Sequence, residues 1–262
     1  MLTGKMRNKL HLLPGLAVYL IAFVITAGMY TNNAGAQETG APQEIADPWE
    51  DYNRAAFGFN DALDRAIAKP AARGYKTIVP RPGRKGVRNV LRNLNSPILI
   101  ANQALQGDFE GTGDALTRTL VNTFIGLGGL IDVAGHEGIE YEKEDFGQTL
   151  AVWGAGPGPY VVVPFLGPAS LRGHIGSLVD TYADPIRLWL FNTDREEWYY
   201  ARLGVSLLDR RVQLLDVLDD LRSSSIDYYA SVRSTTQQRR RALIRDEKPD
   251  DSTLPEIPDY ND

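Results

Sequence analysis

The 262-residue sequence contains no cysteine. That absence excludes disulfides, thiolate metal sites and cysteine nucleophiles. It also excludes a lipid-modified N-terminal cysteine, so any membrane attachment must come from the chain's own apolar surface. Histidine is scarce, with His11, His136 and His174 making up the whole set. Cations do not dominate, with 28 Lys+Arg against 33 Asp+Glu, so no global basic field points to nucleic acid. No Gly-x-Ser-x-Gly turn is present to carry a hydrolase nucleophile. Gly154, Gly156 and Gly158 imitate a dinucleotide-binding loop, but the third glycine of that fingerprint would fall at Pro159.

What remains for catalysis is thin. His174, Ser177 and Asp180 follow at three-residue steps, which a helix would bring near one face. Triads gather their members from separate elements, so a catalytic site is not expected here. His136 precedes Glu137, Glu140, Glu142, Glu144 and Asp145 without calcium-loop spacing, and a solvated acidic loop is expected rather than a metal site. No enzyme activity, metal or cofactor is expected.

The N-terminus carries Lys5, Arg7 and Lys9, then an apolar run from Leu12 to Met29, then Ala34-Gly35-Ala36. This pattern reads as a secretory signal peptide over 1–36, cleaved after Ala36. The competing reading is an uncleaved membrane anchor, because the run approaches spanning length. Residues 37–46 read as a linker. Residues 246–262 are rich in Asp, Glu and Pro with Lys248 as the lone cation, which reads as a disordered acidic tail. The body, 47–245, is long enough for a single domain with its own core.

That body reads as an all-α domain. Asp47-Pro48-Trp49-Glu50 has the form of a capped helix start. Trp49, Tyr52, Ala56, Phe59, Leu63 and Ala66 then form one apolar stripe, with Asn53, Asn60 and Asp64 opposite and Phe57 among them. Lys69-Pro70 is expected to end this helix. Ser96-Pro97 is expected to start a short one that Gly107 closes in the left-handed conformation. A further helix covers about Glu110 to Ile125, with Leu116, Leu120 and Phe124 in register. Pro168 to Tyr182, Thr193 to about Leu221 (opened by a Thr193-Asp194-Arg195-Glu196 box) and Ser225 to about Ile244 read as the rest. Only Tyr160 to Phe165 looks strand-like.

Two segments carry more than packing. Arg81, Arg84, Lys85, Arg88 and Arg92 fall on one helical face opposite Val87, Val90, Leu91 and Leu94. A basic amphipathic helix of this kind suits a surface of anionic headgroups, and equally a solvated face with internal ion pairs. From Gly126 to Pro168 the chain places ten glycines and four prolines among strongly apolar residues. An ordinary helix that apolar would not tolerate them, and a surface loop that flexible is normally polar. The segment is either irregular backbone beside an apolar phase or a glycine-rich loop folded on its own core.

In order, these motifs resemble the MlaA (VacJ) family. The likeness is carried by Asp47-Pro48-Trp49-Glu50, Asn53-Arg54, Phe59-Asn60, Lys69-Pro70-Ala71, Leu105-Gln106-Gly107 and Asn122-Thr123. It continues through Gly126-Leu127-Gly128-Gly129, Asp132-Val133-Ala134, Phe146-Gly147-Gln148-Thr149-Leu150, Gly158-Pro159-Tyr160, Leu171-Arg172 and Leu214-Leu215-Asp216, over nearly all of 47–245. The resemblance implies amphipathic helices forming a ring with a central channel and a glycine-rich hairpin. It implies a component at the outer membrane that removes stray phospholipid from the outer leaflet, passes it to a periplasmic carrier, MlaC, and associates with a trimeric porin. Gly126, Gly128, Gly129, Leu130, Ile131, Phe146 and Tyr160 would then form the channel hairpin and its hinge. Many family members are lipoproteins, whereas this chain has no cysteine to acylate. A non-transport envelope protein and a secreted lipid hydrolase are the alternative readings.

Overall fold

A computed structural model describes residues 46–245; the leader, nearly all of the linker and the acidic tail lie outside the described residues. The described chain is mostly helical, with helices α1 (Glu50–Leu63), α2 (Lys69–Ile78), α3 (Arg81–Gln106), α4 (Phe109–Phe124), α5 (Val133–His136) and α6 (Phe146–Val152) before the strands. Strands β1 (Tyr160–Val163) and β2 (Gly167–Ser170) form one antiparallel hairpin, with Tyr160 opposite Ser170. Helices α7 (Leu171–Ala183), α8 (Pro185–Asn192), α9 (Glu196–Gln213), α10 (Leu215–Ser224) and α11 (Tyr228–Ile244) follow.

The strand expected at Tyr160 is present, and Gly107 caps α3 at φ 81° as its position predicts. Several helix boundaries differ from the sequence reading. Lys69-Pro70 does not stop the chain: a π-helical stretch, Asp64–Ala68, joins α1 to α2. Proline lacks a donor and crowds the carbonyl one turn back, and a widened π turn just before it relieves both. Pro97 likewise lies inside α3, where burial of Ile98, Leu99 and Asn102 holds the helix together across the lost bond. Pro168 belongs to β2, and α7 starts after Ser170, whose hydroxyl accepts from the Gly173 N–H at 3.1 Å.

The two expected capping boxes do not form. Trp49 occupies the α1 cap without a side-chain bond, while the Asp47 carboxylate takes the Asn53 amide at 2.6 Å and the Tyr229 hydroxyl. Thr193 closes α8 by donating to the Trp189 carbonyl at 2.9 Å, and α9 begins beyond it. The single long helix expected from Thr193 is split at Leu214, which lets α10 cross α2. There Asp219 meets Lys69 at 2.6 Å and Asp216 meets Lys76 at 3.0 Å, while Val212 and Leu215 pack on Ala72.

Burial is inverted relative to a water-soluble domain. On α1 the polar Asn53 is 0% exposed while Trp49, Tyr52 and Phe59 face outward. On α4 the buried positions are Gly111, Ala115, Arg118 and Asn122, and the stripe Leu116, Leu120, Phe124 is outside. On α7 Leu171, Leu178 and Tyr182 are exposed, and Gly176 is buried against Gly147, with no room for a side chain between the two backbones. Among the described residues, fourteen polar or charged side chains are buried against thirteen hydrophobic ones, and twenty-nine large hydrophobic side chains are exposed. The water-soluble rule puts the apolar stripe of a helix inward; here hydrogen bonds fill that role.

Candidate functional site

The glycine-rich turn after α4 is the most constrained part of the apolar exterior. Backbone bonds wind it tightly: Gly128 N–H donates to Thr123 C=O at 3.0 Å, Gly129 N–H to Asn122 C=O at 2.7 Å, and Ile131 N–H to Gly126 C=O at 2.9 Å. Gly128 and Gly129 adopt φ of 72° and 90°, and Leu127 also turns left-handed at 55°. Only glycine takes that region without a steric cost. Gly126 is needed for space instead, since a Cβ there would sit 2.2 Å from the Ile131 carbonyl oxygen.

The turn is fastened to α3. Asn93 Nδ2 donates to Thr123 Oγ1 at 2.9 Å and Gly128 C=O at 3.4 Å, and Asn89 Nδ2 donates to Leu130 C=O at 3.4 Å. Leu130 laps over Gly86, where a Cβ would come within 2.8 Å of Leu130 Cδ1. With its backbone satisfied inward, the turn presents Phe124, Ile125, Leu127, Leu130 and Ile131 outward; Leu127 is 70% exposed. This is an apolar prow.

A polar network lies directly behind it. Asp132 caps α5 through Gly135 N–H at 3.0 Å and binds Arg118 at 2.8 and 2.9 Å. Asn122 donates to Asp132 at 2.9 Å and accepts from Ala134 N–H at 3.0 Å. Burial pushes the Asp132 carboxyl upward, but the bonds from Asn122, Arg118 and Gly135 outweigh it and hold the group below the usual carboxylate range. Arg92 stacks on the Tyr141 ring at 4.6 Å, and burial lowers its pKa. Burial likewise raises the Tyr141 hydroxyl. A small cleft opens between Asn89, Arg92, Asn93, Arg118, Asp132 and Tyr141. A second, equally small, shares Ser96, Arg118 and Tyr141 with it and extends to Gln103, Asp114 and Glu140.

The residues picked out in the sequence are dispersed. Gly126, Gly128, Gly129, Leu130 and Ile131 share the turn. Phe146 starts α6, gives its N–H to Asp180 at 2.9 Å and meets Trp153 edge-on at 5.8 Å. Tyr160 is buried in a packed cluster with Ala56, Val162 and Tyr229, where it braces the fold, and it lines neither of these two clefts. The basic face of α3 divides: Arg81 and Lys85 are exposed and Arg84 is half-buried, while Arg88 reaches the buried Asp209 at 3.2 Å and Arg92 turns to Tyr141. Arg118, Asn122, Asp132 and Tyr141 carry the polar network; Asn122 and Asp132 stood in the sequence only as motif residues of the family likeness, and Arg118 and Tyr141 were not singled out. Arg118 was detectable as a charge opposite the Leu116, Leu120, Phe124 stripe.

Among the described residues, His174, Ser177 and Asp180 do not meet in a catalytic arrangement. His174 Nε2 bonds the Val161 carbonyl at 3.0 Å, and Asp180 accepts from Asn102 at 2.9 Å and from Phe146 N–H. Glu144 is buried and takes the Gln106 amide at 2.6 Å. No cluster of metal-binding side chains occurs among the described residues. The arrangement is suited to non-covalent work: an apolar outside, a hydrogen-bonded inside and clefts between them.

Comparison with known proteins shows the family and the fold. The sequence model of a family described as MlaA lipoprotein matches residues 45–243. The intermembrane phospholipid transport system lipoprotein MlaA of Escherichia coli is 37% identical over 213 residues, covering 78% of this chain and 81% of that protein. An uncharacterized protein of Rickettsia prowazekii is 35% identical over 217 residues, covering 83% of this chain and 85% of its own length. A solved structure, described as the structural basis for maintenance of bacterial outer membrane lipid asymmetry, aligns with TM-score 0.66 at 35% identity, covering 76% of this chain and 99% of the other.

Proposed function

Because the chain belongs to the MlaA family, a lipid transport component and not an enzyme, we propose that it is the outer-membrane part of an intermembrane phospholipid transport system. In this reading it sits in the inner leaflet, draws stray phospholipid from the outer leaflet through an amphipathic channel, and passes it to the periplasmic carrier MlaC beside a trimeric porin. Lipid asymmetry is the outcome.

The observation that carries the reading is the inverted burial. The exposed stripe Leu116, Leu120, Phe124 running on to Leu127, with Leu178 and Leu207 exposed on other helices, suits acyl chains, and large exposed apolar surface marks interaction or membrane sites. No helix among the described residues is long and apolar enough to cross a membrane. That fits helices lying in one leaflet with their backbone satisfied internally. The corner of α7, α8 and α9 adds a mark of depth. Trp189, Trp198 and Tyr200 are exposed, and the Arg187 guanidinium lies 4.6 Å from both the Tyr182 and Phe191 rings. Tryptophan, tyrosine and arginine concentrate at the level of lipid headgroups.

The relatives' names describe lipoproteins, whereas this sequence offers no cysteine to acylate. Attachment through apolar faces replaces the acyl chain: each buried methylene contributes about 0.8 kcal/mol, so a few large side chains match one lipid tail. The test is fractionation of the native chain together with the amount of outer-leaflet phospholipid in a deletion strain. Outer-membrane recovery resistant to high salt, with surface phospholipid rising on deletion, is expected. Recovery in soluble periplasm, or unchanged asymmetry on deletion, would reject the proposal.

A further inference from the structure

Arg187 sits where α7, α8 and α9 meet, and an aromatic ring from each helix lies against it. Its guanidinium carbon is 4.6 Å from the centres of the Tyr182 ring of α7 and the Phe191 ring of α8, and 5.6 Å from that of the Tyr199 ring of α9. Phe191 and Tyr199 meet edge-on at 5.6 Å. An ion pair braces the same corner: the Asp184 carboxylate caps α8 through the Ile186 N–H at 2.9 Å and binds Arg202 of α9 at 2.7 Å. A ring face attracts a cation but neutralises no charge and is a weak acceptor. Arg54 and Arg222 also lie over rings, those of Tyr229 and Tyr228, and each holds a carboxylate besides, Asp227 and Asp61. Arg187 makes no hydrogen bond or ion pair among the described residues. It is half-buried, yet none of its nitrogens is buried without a partner, so its donors open to the surface.

We propose that Arg187, held between Tyr182, Phe191 and Tyr199, is the ligand of a phosphodiester, and that its occupant is the headgroup phosphate of a glycerophospholipid that anchors this corner in the leaflet. A guanidinium fork matches two phosphate oxygens in geometry. The rings hold the side chain in place before the anion arrives, so little freedom is left to lose on binding. The surroundings select a lipid over an acidic protein. Trp189, Trp198, Tyr200, Leu203 and Leu207 are exposed on α8 and α9, a surface for the glycerol and acyl chains of a lipid whose phosphate Arg187 holds. Asp194, Glu196 and Glu197, around the start of α9, are exposed as well and oppose an extended acidic surface more than a single phosphodiester. The choice of lipid rests on the membrane location proposed above; the anion site at Arg187 does not.

The test titrates the full chain in non-ionic detergent with water-soluble short-chain phosphatidylglycerol and, separately, with sn-glycerol 3-phosphate. R187Q removes the ligand, and R187K keeps the charge on the rings without the fork. R195Q removes a neighbouring exposed cation, whose guanidinium lies 5.7 Å from the Trp189 ring. R187Q should weaken the lipid probe by about tenfold or more, the scale of a hydrogen bond to a charged group. R187K should weaken it less, and R195Q should bind like the wild type. Glycerol phosphate should compete at the same site, more weakly. In the wild type, saturating lipid probe should protect Arg187 from phenylglyoxal, read by peptide mass, and leave Arg195 open; this arm needs no variant to fold. Binding by R187Q equal to wild type, equal loss in R187Q and R195Q, or an unprotected Arg187 overturns the site. Glycerol phosphate binding as tightly as the lipid probe, or poly-glutamate binding more tightly, overturns the lipid assignment. Failure of the membrane reading would look different: the wild type would not enter phospholipid vesicles, while Arg187 still bound the soluble probe.

Discussion

Asn53 and Asn60 stand two helical turns apart on α1 and grip the same hairpin. Asn53 donates to Tyr160 C=O at 3.0 Å and accepts from Val162 N–H at 2.8 Å; Asn60 donates to Val163 C=O at 3.1 Å and accepts from Phe165 N–H at 2.8 Å. Each amide replaces one rung of a β ladder, so a helix completes the free edge of β1. The apolar face of α1 is released to the exterior because its polar face is occupied here.

Replacement of Asn53 by Leu should therefore destabilise the fold although it raises hydrophobicity. It strands the Tyr160 carbonyl and the Val162 N–H in a buried place, at about 1–3 kcal/mol for each unsatisfied group. Thermal unfolding in detergent should show a clear fall in melting temperature for Asn53→Leu and a smaller one for Asn60→Leu, whose bonds are nearer solvent. Equal melting of Asn53→Leu and wild type would contradict the edge-completing role.

The acid limb of stability should trace to Asp132 and Asp145. Burial pushes both carboxyls up, but hydrogen bonds (Asn122 and Arg118 for Asp132, Arg240 for Asp145) hold both below the usual range. A depressed folded pKa gives stability that is complete above the unfolded value, about 4, and is lost as pH falls through the folded value. Melting should thus be flat from neutral pH to about 4 and fall below it. Asp132→Asn should lower melting at neutral pH, by about 3–5 kcal/mol where Arg118 is left without its counter-ion, and flatten the acid limb. An unchanged acid limb in that variant would sink the assignment.

The basic face of α3 should split into two classes of variant. Arg88→Gln leaves the buried Asp209 without its cation and should lower the melting temperature. Lys85→Gln should leave melting alone and weaken flotation with anionic vesicles more than with neutral ones, the cation contributing roughly 1 kcal/mol near a charged surface. Identical loss on both vesicle types would mean that this side chain does not face headgroups.

Valine at Gly128 and at Gly129 should behave differently. Both positions have positive φ, but a Cβ at 128 meets open space, whereas at 129 it comes within 2.5 Å of Asn93 Cβ. Gly128→Val should carry mainly the left-handed backbone cost, about 1–2 kcal/mol. Gly129→Val should also lever the prow off α3. If the turn gates lipid passage, Gly129→Val shifts outer-leaflet phospholipid more than Gly128→Val at matched protein levels. Normal lipid distribution in a stable, well-expressed Gly129→Val protein would sink the hinge.

Periodicity in the sequence was enough to locate most helices, the strand at Tyr160 and the left-handed glycines. Helix continuity was less legible: Pro70 and Pro97 are local stop signals, and long-range packing together with a π turn override them. The order of motifs revealed the family, and the glycine turn could be read because its geometry is local. The polar cluster of Arg118, Asn122, Asp132 and Tyr141 joins residues from separate elements, and spacing along the chain does not show which faces turn inward. Tyr160 illustrates the same limit: its motif is local, its burial against Tyr229 is not.

With a small, hydrogen-bonded interior and its large apolar side chains outside, this protein has a stability that is not a property of the chain alone. On the proposed membrane location the bilayer would act thermodynamically as a ligand of the folded form, and apparent stability should rise with lipid concentration as it does for any protein whose partner binds only the native state. The corollary concerns biogenesis. On the proposed membrane location, hydrophobic collapse in water would bury the wrong face of α1, α4 and α7, and the chain would need a holding partner before it reached lipid.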